Sequence, residues 1–144
     1  IVHCFLNAMW CNRYKEGGVS MKEDKLGDLS MELSVEVLQL TKELRGKHEN
    51  VISNQIGRSA TSICANIAES KYAHSRADFI AKLEISLKEA NETSKWLEML
   101  WKSDYIDEVR YKVLNRKCST IKFLLVKSVT TAKNNLTKTR ERTK

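Results

Sequence analysis

Proline is absent from this chain, and glycine occurs only five times in its 144 residues. Proline interrupts helices, and glycine serves the tight turns on which β folds depend. A chain nearly without either is poorly equipped for a turn-rich β fold and well equipped for long, unbroken helices. Its length fits one domain with a sizeable core, and its 42% hydrophobic content is ordinary for a globular protein.

The stretch Gln55–Ser70, QIGRSATSICANIAES, shows what such a helix would carry. Ile56, Ala60, Ile63 and Ile67 recur at steps of four, three and four, the buried stripe of an amphipathic helix. Ser59, Ser62, Asn66 and Glu69 form a polar stripe beside it. This polar line has two readings. It is a candidate polar site with Glu69 as a base, or it is a set of hydrogen bonds to a neighbouring helix or subunit, with Arg58 and Glu69 as ion-pair members. The second is favoured, because no nucleophile, metal set or ligand-positioning loop accompanies it.

The same periodicity predicts three more helices. A first runs from Asp28 to about Gly46, with Leu33, Val37, Leu40 and Leu44 inside and Gly46 as C-cap. Met31, Val35 and Leu38 make a second apolar stripe on its other side, the mark of a sandwiched helix or a subunit interface. The second helix, Glu49 to Tyr72, contains the stretch above. The third runs from Arg76 to about Ser103, with Ser75 as N-cap and Phe79, Leu83, Ser86, Ala90, Thr93, Leu97 and Trp101 on its inner line. The fourth runs from Asp107 or Glu108 to about Leu136. Leu114, Cys118, Ile121, Leu125, Ser128, Ala132 and Leu136 face inward, and Phe123 and Val126 face outward, another hint of a partner surface. Short connections between four helices imply antiparallel neighbours, an all-α, up-down-up-down four-helix bundle. Residues 137–144 read as a basic, flexible tail and residues 1–27 as a poorly ordered extension.

The beginning of the chain carries its own expectation. Lys15-Glu16-Gly17-Gly18 can be encoded by a purine-rich stretch containing a bacterial ribosome-binding sequence, and Met21 follows at about the spacing of a start codon. The natural protein is therefore expected to begin at Met21, with residues 1–20 read through from upstream. The alternative is a genuine N-terminal extension. The apolar run Ile1–Cys11 is too short to span a membrane and lacks the basic start of a signal peptide.

Little in the chain points to catalysis, a metal or a cofactor. His3, His48 and His74 are isolated, and the last two fall at helix junctions, as solvated histidines do. Cys4, Cys11, Cys64 and Cys118 show no C-x-x-C spacing, which points to a reducing, cytoplasmic setting rather than a disulfide framework. No phosphate-binding glycine loop and no His-Glu metal pair occurs. Charge is more informative. The net charge is +7, and from Arg110 to Lys144 there are eleven Lys/Arg against one acid, Glu141. A basic C-terminal quarter suits a polyanion: nucleic acid first, an anionic membrane surface second, with a solubilising tail as the plain alternative. The candidate phosphate contacts are Arg110, Lys112, Arg116, Lys117, Lys122, Lys127 and Lys133 on the fourth helix, continued by Lys138, Arg140 and Arg142. Tyr111 and Phe123 are the aromatic residues placed to stack on bases, Tyr111 equally a bundle-edge residue.

Two motifs carry a family resemblance. The first is Ile56-x-Arg58-Ser59-Ala60-x-Ser62-Ile63-x-x-Asn66-Ile67-Ala68-Glu69. The second is Ser75-x-x-x-Phe79-Ile80-x-x-Leu83-x-Ile85-Ser86-Leu87-x-Glu89, followed by Tyr105-Ile106. Together they resemble the bacterial four-helix-bundle proteins, also called 23S ribosomal RNA intervening-sequence proteins, over roughly Leu29 to Leu136. The family usually has proline where Cys64 or Ala65 stands and glycine where Ser70 stands, so this second helix should be straighter and its end less sharply stopped. The resemblance implies an antiparallel bundle assembling as a ring-like homopentamer, with no firmly established biochemical activity. It also implies kinship with the accessory variability protein of diversity-generating retroelements, which binds a reverse transcriptase and nucleic acid. The expected function is thus non-enzymatic binding of RNA or another nucleic acid by a basic homo-oligomer. Docking of a reverse transcriptase is the alternative.

Overall fold

A computed structural model of the protein describes residues 24–142, with side chains through Leu136. The described residues form four helices: α1 (Lys25–Gly46), α2 (Val51–Ser70), α3 (Arg76–Lys102) and α4 (Glu108–Arg142). The expected start at Met21 lies outside the described residues.

Cross-helix contacts fix the direction of each helix. Asp24, at the start of α1, pairs with Lys71 just past the end of α2, while Arg45 at the other end of α1 reaches Asn54 in the first turns of α2. Glu69 meets Lys82 and Arg58 meets Glu92, so α2 and α3 are antiparallel. Ser94 contacts Asn115 and Glu84 contacts Lys133, so α3 and α4 are too. The ring closes where Glu43 and Glu36 of α1 meet Arg110 and Lys117 of α4. Sequence neighbours pack together, α1 packs on α4, and the diagonal pairs stay apart. This is an all-α, up-down-up-down four-helix bundle.

The predicted stripes make the core. Leu33, Val37, Leu40 and Leu44 of α1 and Ile56, Ala60, Ile63 and Ile67 of α2 are buried, as are Phe79, Leu83, Ala90 and Leu97 of α3 and Leu114, Cys118, Ile121, Leu125 and Ala132 of α4. Small polar residues sit among them where helices approach. Ser34 Oγ donates to the Ala60 carbonyl at 2.9 Å, Ser86 Oγ to the Ile63 carbonyl at 3.3 Å, and Cys118 Sγ to the Ala90 carbonyl at 3.1 Å. Each of the three sequential helix pairs is thus bridged by a short donor reaching a neighbour's backbone. Only small side chains leave room for that.

Several boundaries and register positions differ from expectation. α1 begins at Lys25 rather than Asp28, because Asp24 caps it, accepting from the Gly27 N–H at 3.1 Å. Gly46 is the last residue of α1 rather than its cap. The left-handed residue is His48, with φ 60°, and Asp104 after α3 also has φ 60°. α2 runs unbroken through Cys64 and Ala65. It ends gradually, through successive short turns from the Ala68, Glu69 and Ser70 carbonyls, as the missing proline and glycine led one to expect. On α3, Leu100 is fully buried and Trp101 only partly, since the Trp101 ring leans out to stack on Tyr111 at 4.7 Å. On α4, Val129 takes the inner place expected for Ser128, the apolar neighbour being the one drawn into the core. α4 continues to Arg142, past the expected end at Leu136, so residues 137–142, read as a flexible tail, extend the helix. Nothing in those turns, neither proline nor glycine, stops it.

Candidate nucleic-acid interface

The polar stripe of α2 is taken up by contacts within the bundle. Thr93 Oγ1 of α3 donates to Ser59 Oγ at 2.8 Å, and Ser59 Oγ donates to the Ile56 carbonyl. Asn66 Nδ2 donates to the Ser62 carbonyl one turn back at 2.9 Å. Arg58 and Glu69 both reach α3, to Glu92 and Lys82, and the Glu69 carboxylate holds the Lys82 ammonium above its ordinary pKa. His48 is exposed at its left-handed position, and exposed His74 donates its backbone N–H to Asp78. Burial pushes the Cys118 thiol up to about 11, so it stays protonated in the core. Among the described residues no group of three or more His, Cys, Asp or Glu is placed to hold a metal ion, and no helix is long and apolar enough to cross a membrane.

The basic residues of α4 divide into two kinds. Those facing the neighbouring helices are engaged. Arg110 holds both oxygens of Glu43 on α1. Lys117 reaches Glu36 Oε1 at 2.7 Å and Glu32 Oε2 at 3.2 Å, and Lys133 reaches Glu84 on α3 at 2.6 Å. The carboxylate hydrogen bonds raise the pKa of Arg110 and of Lys117, fixing both as cations. Lys122 Nζ turns to Ser94 Oγ at 3.3 Å.

Among the residues whose side chains are described, three further cations face away from the bundle. Lys112, Arg116 and Lys127 are exposed, and with Phe123 they lie at helical steps of four, seven and four, which places all four on one side of α4. Among the described residues Lys112 pairs only within its own helix, with Glu108 at 2.8 Å. Lys127 Nζ lies 4.5 Å from the centroid of the Phe123 ring. The Arg116 guanidinium has no acidic partner among the described residues. Lys138, Arg140 and Arg142 fall on the last turns of the same helix.

The sequence pointed to the cations of this helix but could not sort them. The acids that take up Arg110 and Lys117 stand 67 and more positions away in the chain. Ser94 and Asn115, which line the approach to Lys122, were not singled out either, since nothing in their local pattern marks them.

Comparison with solved structures finds a crystallised protein of unknown function from the S23 ribosomal protein family of Bacteroides thetaiotaomicron. The two are 47% identical, with a TM-score of 0.71 over 72% of this chain and 97% of the other. Comparison with curated proteins finds no match. The family model described as 23S rRNA-intervening sequence protein matches residues 22–127, which takes in α1, α2, α3 and more than half of α4. With the four-helix fold and both motifs in place, the chain belongs to the 23S rRNA-intervening sequence protein family.

Proposed function

We propose that this is a non-enzymatic, cytoplasmic protein that binds RNA by its phosphates and works as a homo-oligomer. The observation that carries the reading is the outward face of α4. Lys112, Arg116 and Lys127 stand exposed on one side of a rigid helix, and among the described residues none is neutralised by an acid from another helix. The Lys112–Glu108 pair is a surface i,i+4 contact of the kind worth well under about 1 kcal/mol, so phosphate competes for it readily. Lys138, Arg140 and Arg142 continue the charge along the same helix.

Three exposed cations on one copy give only weak binding. Self-association supplies the rest, because several α4 faces on one assembly act together on one RNA. Support for self-association is the exposed apolar line Met31, Val35 and Leu38 on α1, which a second copy would cover. The family resemblance makes a pentameric ring the expected form. The family match does not favour a reverse-transcriptase partner.

The test is a salt series on ribosomal RNA fragments and unrelated duplexes, comparing the protein with Arg116→Glu/Lys127→Glu. The double variant is expected to lose about tenfold or more in affinity at low salt and to show a shallower dependence on salt. Equal binding by both proteins would sink the placement on α4. Sedimentation of the unmutated protein as a monomer would sink the oligomer.

A further inference from the structure

Two aromatic residues of α4 were candidates for base stacking, and the fold separates them. Tyr111 is already stacked on Trp101, with ring centroids 4.7 Å apart and planes 7° from parallel. Its face is therefore taken. Phe123 is 57% exposed, on the same side of the helix as Arg116 and Lys127. We propose that the nucleic acid held by α4 is single-stranded RNA, with Phe123 as the platform for one unpaired base and Arg116 and Lys127 holding the phosphates beside it. This inference rests on the phosphate-binding reading above and narrows it to one class of RNA.

Three features argue for it. A large aromatic ring left in water has no role in the bundle, and ring faces bind bases of any identity. Lys127 Nζ lies over one face of the Phe123 ring, 4.5 Å from its centroid, and leaves the rest of the exposed ring unstacked. An exposed contact of that kind is weak, and the ammonium can swing from the ring to an adjacent phosphate as a base takes its place. The reach of the face is also short. Lys112 to Lys127 spans about 22 Å of helix axis at 1.5 Å per residue, enough for a short run of nucleotides. Duplex RNA keeps its bases stacked and is bound across successive grooves by its shape, which one convex helix does not match.

The experiment compares two fluorescent probes by anisotropy at low salt: an oligouridine of about 12 nucleotides, within usual single-strand site sizes, and an A·U duplex of the same length. The proteins are the unmutated chain, Phe123→Ala, Phe123→Trp and Arg116→Glu/Lys127→Glu. Phe123 is on the surface, so the Ala variant is expected to fold, and its thermal midpoint checks that. The expected result is a loss of about fivefold or more on oligouridine for Phe123→Ala, from one lost stacking contact. Duplex binding should be unchanged, and Phe123→Trp should restore the single-strand affinity. If Phe123→Ala has no effect, or weakens both probes equally, the stacking inference is overturned. Should the charge reversal still weaken both probes in that case, phosphate binding by α4 stands without it. If the unmutated protein binds neither probe, both readings fail.

Discussion

Ser53 and Ser59 lie six residues apart on α2, both fully buried, yet their hydroxyls have different fates. Ser59 Oγ accepts from Thr93 and donates to the Ile56 carbonyl, while Ser53 Oγ has no partner among the described residues. A buried hydroxyl without a partner costs its desolvation and returns nothing. Ser53→Ala is therefore expected to stabilise the fold by about 0.5–1 kcal/mol, helped by alanine's better helix propensity. Ser59→Ala is expected to cost about 0.5–1 kcal/mol, because it removes the hydrogen bond across to α3 while Thr93 keeps the Glu89 carbonyl one turn back. Urea midpoints of the two variants at constant m-value read the opposite signs directly. The sequence marked Ser59 as part of a polar line but offered no way to tell that Ser53 would be left alone.

The ends of the helices are set by single side chains. Asp24 does two things at the start of α1: one carboxylate oxygen accepts from the Gly27 N–H, and the other pairs with Lys71 beyond α2. Asp24→Ala should cost about 1–1.5 kcal/mol, mostly the lost cap, with a minor share from the partly exposed ion pair. Asp24→Asn keeps an N-cap oxygen and removes only the charge, so it should recover most of the loss in a thermal melt. An equal loss for Asn and Ala would show that the ion pair, not the cap, holds this end. At the other ends, His48 and Asp104 occupy left-handed positions that glycine usually takes. Reading Gly46 as the cap was natural from composition. The chain instead carries α1 through Gly46 and turns at His48, where the Glu49 N–H reaches back to the Leu44 carbonyl at 2.9 Å.

The bundle as a whole closes along an uneven ring. α1 and α4 meet over a shorter seam than the other neighbours, and ion pairs mark that seam: Glu43 with Arg110, and Glu32 and Glu36 with Lys117. The hydrogen-bonded Arg110 guanidinium holds the Glu43 carboxyl below its ordinary value of 4.5. A carboxylate depressed in the folded state contributes stability above its unfolded pKa and loses it as pH falls through its folded pKa. Acid titration of the urea midpoint from about pH 6 downward should therefore show the unmutated protein falling more steeply than Glu43→Gln, the two converging below the Glu43 titration. The gap should be small, because the pair faces solvent and is screened. Parallel curves with no convergence would show that the pair contributes nothing to closure. The same seam explains why a helix so rich in lysine and arginine offers fewer free cations than its sequence suggests: two of them, Arg110 and Lys117, hold α1 in place.

Helix content, the bundle and most of its core were legible in the sequence because they follow from local rules. Without proline nothing breaks the helices, and the 3.6-residue recurrence of lines such as Leu33–Leu44 and Ile56–Ile67 has one geometric solution, a buried stripe. The family was legible for the same reason, since its motifs are packing motifs along α2 and α3. Which polar and charged groups remain free was not legible, because it depends on partners brought in from elsewhere in the chain. Arg110 looked like Arg116, and Tyr111 looked like Phe123, until folding set Glu43 beside one and Trp101 against the other. A charge or a ring is available for function only when no other helix has claimed it, and only the tertiary structure sets one helix against another.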